Sequence, residues 1–224
     1  MKLLKCHISY LFTKNTTIIL LLTTILFGVA FFGNASFNDG LRSEVINEYF
    51  LNSQFIVRIL LSFIAIFIMA NSIYFKNDFY AYFILTNIKR SKYIITKIIT
   101  NIIVVVLLNS LVFVIFLLIG FIKIKGFYLE ESFIKSFVIL TLISLIFGFY
   151  ALILMQIFNN QFIIIIVFGI LIISNNLESE DLISEVLLLF FPHDNTYGMI
   201  QLLWLSLALM LFNLEYYLKK DLNY

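Results

Sequence analysis

Three apolar runs, Phe55–Phe75, Ile98–Ile122 and Ser136–Phe158, constrain this 224-residue chain more than any other feature. Each is at least as long as the roughly 20 residues an α-helix needs to cross a hydrocarbon core about 30 Å thick, and none contains Asp or Glu. Backbone placed in lipid must satisfy its own N–H and C=O groups, so runs of this kind become helices. Shorter runs at Thr16–Phe32, Phe162 to about Ser174, and Met199–Leu214 bring the expected spans to six. Composition agrees: 62% of residues are hydrophobic and 12% charged, against about 45–50% and about 25% in soluble domains. The expectation is an all-α integral membrane protein, a single transmembrane domain over 1–224; heavy use of Ile, Phe, Asn and Lys with sparse Ala, Gly and Pro suggests an AT-rich bacterial genome, and hence the plasma membrane of a bacterium.

Connections and charge set the topology. Residues 1–15 begin MKLLKCHISYLFTK, with Leu4, Ile8, Leu11 and Phe12 on one helical face and Lys2, Lys5, Ser9 and Thr13 opposite, which predicts an interfacial helix on the inner leaflet. Asn34–Gln54 reads as a polar outer segment, Lys123–Lys135 as an outer turn, and Asn159, Asn160 and Gln161 as a tight inner turn. Residues 175–197 form a second outer segment, in which the six apolar residues Val186–Phe191 before Pro192 are too short to span and read as a re-entrant piece. Arg58 lies near the outer end of the second span, where a long side chain can snorkel to the interface. Ten Lys and Arg then fall on the inner side and five on the outer, Arg42, Arg58, Lys123, Lys125 and Lys135. Retention of positive charge on the inside makes both termini cytoplasmic. Tyr216, Tyr217, Lys219 and Lys220 anchor the tail at that surface.

Between the second and third spans, residues 76–97 read KNDFYAYFILTNIKRSKYIITK. Five basic residues stand there against one acid, Asp78. Phe79, Tyr82 and Phe83, at i, i+3 and i+4, share one face of a helix. Two readings stay open: the rings lie on the inner leaflet while the charges set topology, or they dock into a cytosolic partner.

Several chemistries are missing. No GxxxxGK[ST] occurs, so the chain does not cradle nucleotide phosphates. Spans without acids lack the mid-membrane ionisable group that proton- and cation-coupled carriers generally use. Glu130 and Glu131 have no neighbouring histidine in sequence, and His7 and His193 fall on opposite sides of the membrane in this topology, so no metal site is expected. Cys6 is the single cysteine. A net charge of +2, clustered at membrane edges, argues against nucleic acid as a partner. Span residues such as Thr141, Ser144, Asn109, Gln156 and Asn213 are expected to bond to neighbouring helices or to carbonyls one turn back.

The order of interfacial helix, span, outer segment, span, basic and aromatic inner loop, and four more spans resembles the membrane subunit of an ABC-2-type exporter. The local likeness rests on LTNIKRSKYIITK, Leu85–Lys97, similar to the family's leucine, short turn, basic residue and Lys entering the third span. Many members carry an acid and a glycine early in that loop; this chain has Asp78 and no glycine. The resemblance implies a coupling helix at about Asn77–Asn87, with Asp78, Phe79, Tyr82, Phe83, Thr86, Lys89 and Arg90 contacting a separate ATP-binding subunit that carries the ATP and Mg. It also implies a second permease subunit, identical or related, and contact with membrane lipid. No catalytic group and no cofactor belong to this chain in that reading. Its small outer segments and Phe and Ile richness are most similar to the bacteriocin and lantibiotic immunity and phenol-soluble-modulin export subgroup of Gram-positive bacteria. A different class also fits the sequence: a non-transporting membrane scaffold or sensor that binds a cytosolic partner through 76–97.

Overall fold

A computed structural model describes residues 14–36, 42–73, 90–158, 160, 162–176 and 199–219. Among them the chain is all-helical, with six helices: α1 (Lys14–Ser36), α2 (Arg42–Ile73), α3 (Arg90–Lys123), α4 (Glu131–Phe158), α5 (Phe162–Asn176) and α6 (Met199–Lys219). Four of these contain stretches long and apolar enough to cross a membrane: Val45–Ala70, Ile94–Lys123, Glu131–Phe158 and Met199–Tyr216. Shorter apolar stretches lie in α1 (Leu21–Ala35) and α5 (Phe162–Ile173).

The bundle is apolar on its outer surface as well as in its core. Ser62, Ser72, Thr100, Asn101, Asn109, Ser144 and Asn213 are buried among apolar side chains, whereas Leu22, Leu107, Phe121, Ile165, Trp204 and Phe212 are about half exposed or more. The arrangement fits a membrane protein, since lipid accepts apolar side chains and polar ones bond between helices.

Helices α2 and α4 form the central pair; α1 packs on α2 and α3, α5 on α2 and α4, and α6 on α4 and α3. They run in the same direction: Phe50 stacks on Phe133 at 4.2 Å near one end, and Ser62 Oγ lies 3.4 Å from Ser144 Oγ farther along. One turn beyond Ser144, Gly148 lets α2 approach so closely that a Cβ there would stand 2.6 Å from Met69 Sδ and 3.3 Å from the Ala65 carbonyl. Small residues at such spacings are what allow backbones to close without a hydrophobic drive between helices.

At the α3–α4 turn, an aromatic cluster joins four helices. Tyr49 stacks on Phe116 at 4.8 Å and donates a 2.8 Å hydrogen bond to the Phe116 carbonyl. Phe31 from α1 and Phe133 and Phe137 from α4 close around the same ring. Gly126 adopts φ 74°, a left-handed conformation that turns the chain after α3. Phe127 then folds back into the cluster. Beyond the turn Glu131 pairs with Lys135 one helical turn on, at 2.9 Å, both well exposed; a pair of this kind contributes little to stability.

Two sequence expectations change here. The polar outer segment Asn34–Gln54 is in large part helix, because α2 begins at Arg42 and continues without a break into the span. Val45, Ile46, Tyr49, Phe50 and Ser53 are buried while Asn47, Glu48, Leu51 and Asn52 are exposed. This is a 3.6-residue stripe whose mean hydropathy hides it. The second departure is Arg58, which does not reach out to the interface but is 6% exposed, between α2 and α4.

The interfacial helix expected over 1–15 and the re-entrant piece expected within 175–197 fall almost wholly outside the described residues.

Candidate functional site

Of the expected coupling residues, Asp78, Phe79, Tyr82, Phe83, Thr86 and Lys89 lie outside the described residues, and Arg90 opens α3. What is described is the mount for that loop. Helix α2 ends at Ile73 and α3 begins at Arg90, some two turns before the expected span start at Ile98. With 34 residues, α3 is about 51 Å long at 1.5 Å per residue, well beyond a core of about 30 Å. Arg90, Lys92 and Lys97 are helical residues, Arg90 and Lys92 ahead of the apolar stretch that begins at Ile94. Lys92 is exposed, and Lys97 is buried.

A chain of polar bonds ties the two ends together. Asn101 Nδ2 donates to Ser72 Oγ at 2.8 Å, and Ser72 donates in turn to the Met69 carbonyl at 2.7 Å. All three side chains are buried. The helix before the loop and the helix after it are thus pinned to one another by bonds shielded from water. Around them Ala65, Met69, Ile94, Ile98, Val105, Leu145 and Phe149 form one apolar cluster. Leu209, Met210 and Leu214 of α6 pack against this cluster, and Asn213 of α6 donates to the Leu209 carbonyl at 2.8 Å and to that of Phe149 at 3.4 Å. Displacement of the α2–α3 end would be transmitted to α4 and α6 through this packing.

Most described span hydroxyls bond as the sequence suggests, to carbonyls one turn back: Thr96 to Lys92, Thr100 to Thr96, Ser110 to Val106, Thr141 to Phe137 and Ser144 to Leu140. Ser53 Oγ is buried without a hydrogen-bond partner, and so is the whole side-chain amide of Asn109. It lies on the inward stripe of α3 between Val105 and Val112, is buried, and neither amide atom has a hydrogen-bond partner. Leaving a buried polar group unsatisfied costs about 1–3 kcal/mol. Asn109→Leu, close in volume and without polar atoms, should raise the melting temperature of the purified protein, measured by intrinsic fluorescence during heating. Unchanged or lower stability would mean that the amide is satisfied in the membrane.

Asn160 caps α5: its Oδ1 accepts from the Phe162 N–H at 3.0 Å and its carbonyl from that of Ile163 at 3.2 Å. The tight turn read from the sequence is therefore an N-cap. Among the described residues no three His, Cys, Asp or Glu side chains gather as a metal site would require.

Sequence reasoning missed two features, the Ser72–Asn101 clamp and the closeness of α2 to α4 at Gly148. The second had a signal in the sequence, the small residues Ser144 and Gly148 four apart. The first had none, because which two polar residues of adjacent spans meet depends on helix rotation. In comparisons with known proteins, no family model matches the chain and no curated protein matches it significantly.

Proposed function

We propose that this chain is the membrane-spanning permease subunit of an ATP-binding-cassette exporter for amphipathic or antimicrobial peptides. In this reading six helices cross the membrane, α1 and α5 included, and both termini face the cytoplasm. Residues 76–97 receive force from a separate ATP-hydrolysing subunit, and a second permease subunit, identical or related, completes the pathway. Closure of the two ATP-binding subunits on nucleotide pushes on the loop, and the paired ends of α2 and α3 carry that motion into the bundle.

The observation that carries the reading is the Asn101–Ser72 bond between the two helices that flank the ring-rich loop. Interhelical bonds are common in membrane bundles; what this one supports is that the two arms of the loop are fixed to each other, as a lever requires. The apolar outer faces of α1, α3 and α6 leave room for lipid and for a second membrane subunit.

Co-expression with the ATP-binding subunit encoded nearest to it tests the proposal. A stable complex should purify in detergent, with ATPase activity above that of the ATP-binding subunit alone. Reporter fusions at Lys2 and Tyr224 should both report the cytoplasm. Absence of any complex, or two termini outside the cell, would remove the exporter reading.

A further inference from the structure

Helix α5 carries a much shorter apolar stretch than the two helices it packs against. That stretch, Phe162–Ile173, rises about 18 Å at 1.5 Å per residue, against a hydrocarbon core of about 30 Å. Polar residues bound it on both sides, Asn159, Asn160 and Gln161 before it and Ser174, Asn175 and Asn176 after it. In α2 and α4 the corresponding stretches run to 26 and 28 residues. Nor is α5 withdrawn into the bundle, since Phe162, Ile165, Ile166 and Ile173 are each more than half exposed.

Packing fixes where the stretch stops. Phe168 meets Phe63 of α2 edge-on at 4.8 Å, and the Ser62–Ser144 contact puts Phe63 about level with Leu145 of α4. Because α5 runs antiparallel to α4, Ile173 is then about level with Leu140. Leu140 is nine residues, about 14 Å, from Glu131, the exposed charged residue that opens α4. The chain therefore turns polar at Ser174, well short of the level at which α4 does. A stretch this short is accommodated by long cationic side chains reaching out from its ends, by association with another protein, or by a locally thinner bilayer. The first route is closed, because no Lys or Arg occurs between Lys135 and Lys219. The second is disfavoured by the exposed residues themselves, one Phe and four Ile, with only Gly169 small in the whole stretch; contacts between membrane helices favour small residues.

We infer that the outer face of α5 thins the bilayer locally and so recruits phospholipids with short acyl chains to that side of the bundle. The inference rests on the reading in which α5 crosses the membrane. Tilting offers no escape, because a tilted helix reaches less far across the core than an upright one. Short chains meet the polar ends of α5 without burying Asn or Ser in hydrocarbon, whereas long chains would have to bend or compress beside it.

The test uses the full-length chain in phosphatidylcholine vesicles and the quenching of tryptophan by brominated dioleoyl-phosphatidylcholine, in competition with dimyristoleoyl, dipalmitoleoyl, dioleoyl or dieicosenoyl lipid. Trp204, the single tryptophan, is 70% exposed on α6, whose apolar stretch of 18 residues rises about 27 Å; it should report strongest binding of the dioleoyl lipid. Trp204→Phe combined with Ile166→Trp moves the reporter to the exposed face of α5 and should favour dimyristoleoyl over dioleoyl lipid by roughly threefold. Ser174→Leu, Asn175→Leu and Asn176→Leu together extend the apolar run to Leu177, about 24 Å, and should move that optimum toward the dioleoyl lipid. The same chain-length profile at both tryptophans would overturn the inference, and so would an optimum that the three leucines do not move. Absence of quenching at Ile166→Trp would overturn it as well, in favour of protein covering this face. Crossing is checked separately with Cys6→Ser and Asn176→Cys: a membrane-impermeant maleimide should label the new cysteine from outside intact cells. Labelling from the cytoplasmic side alone would remove the crossing, whereas labelling from outside with equal profiles would remove the thinning only.

Discussion

Replacing Gly148 by leucine is expected to abolish the monodisperse, folded protein. The first atom of any side chain there would sit 2.6 Å from Met69 Sδ, 3.2 Å from Met69 Cγ and 3.3 Å from the Ala65 carbonyl. The sulfur can move; the backbone of α2 cannot move without opening the central helix pair. Overpacking a well-filled interior costs about 1–3 kcal/mol and sometimes more, and a leucine at the closest approach of the two main helices belongs at or beyond the top of that range. Gly148→Ala should be milder, because Met69 can swing aside. Combined with Met69→Ala, it should cost less than the sum of the two single changes, since each relieves the other's defect. Size-exclusion profiles and melting temperatures of the four proteins check this. Strict additivity would mean that α2 and α4 do not touch at this point.

The second large effect belongs to the loop. Phe79→Ala together with Phe83→Ala should reduce ATPase stimulation to the level of the ATP-binding subunit alone while leaving membrane insertion and yield unchanged. Aromatic anchors at protein interfaces commonly account for about 2 kcal/mol or more each. Losing two of them would weaken docking by roughly 10³-fold or more, enough to dissociate a complex of ordinary affinity. If the rings only lie on the inner leaflet, the double variant will stimulate ATPase as well as the wild type, and the scaffold or sensor reading gains. Asn101→Ala in the same assay separates docking from transmission: it should leave the complex intact and lower stimulation, because it cuts the Ser72 joint without touching the loop.

Helices α3 and α4 were legible to within a few residues at their turn, because an unbroken apolar run ending in charged residues has only one solution in lipid. α2 was not. Its first turns carry Arg42, Glu44, Asn47, Glu48 and Asn52, and the average over that stretch is polar. The buried residues Val45, Ile46, Tyr49 and Phe50 are visible only to a periodic reading. The expected coupling residues from Asp78 to Lys89 lie outside the described residues, so the structure speaks to their mount and not to them.

Hydropathy determined by itself that this chain forms long apolar helices, because the cost of exposing polar backbone to lipid leaves no alternative. Tertiary structure alone decided that Arg58 turns inward, that Asn101 meets Ser72, and that Gly148 is the point of closest approach between α2 and α4. Each of those outcomes depends on how far a helix is rotated and shifted against its neighbour, and that is settled by the packing of many side chains at once rather than by any local run of residues.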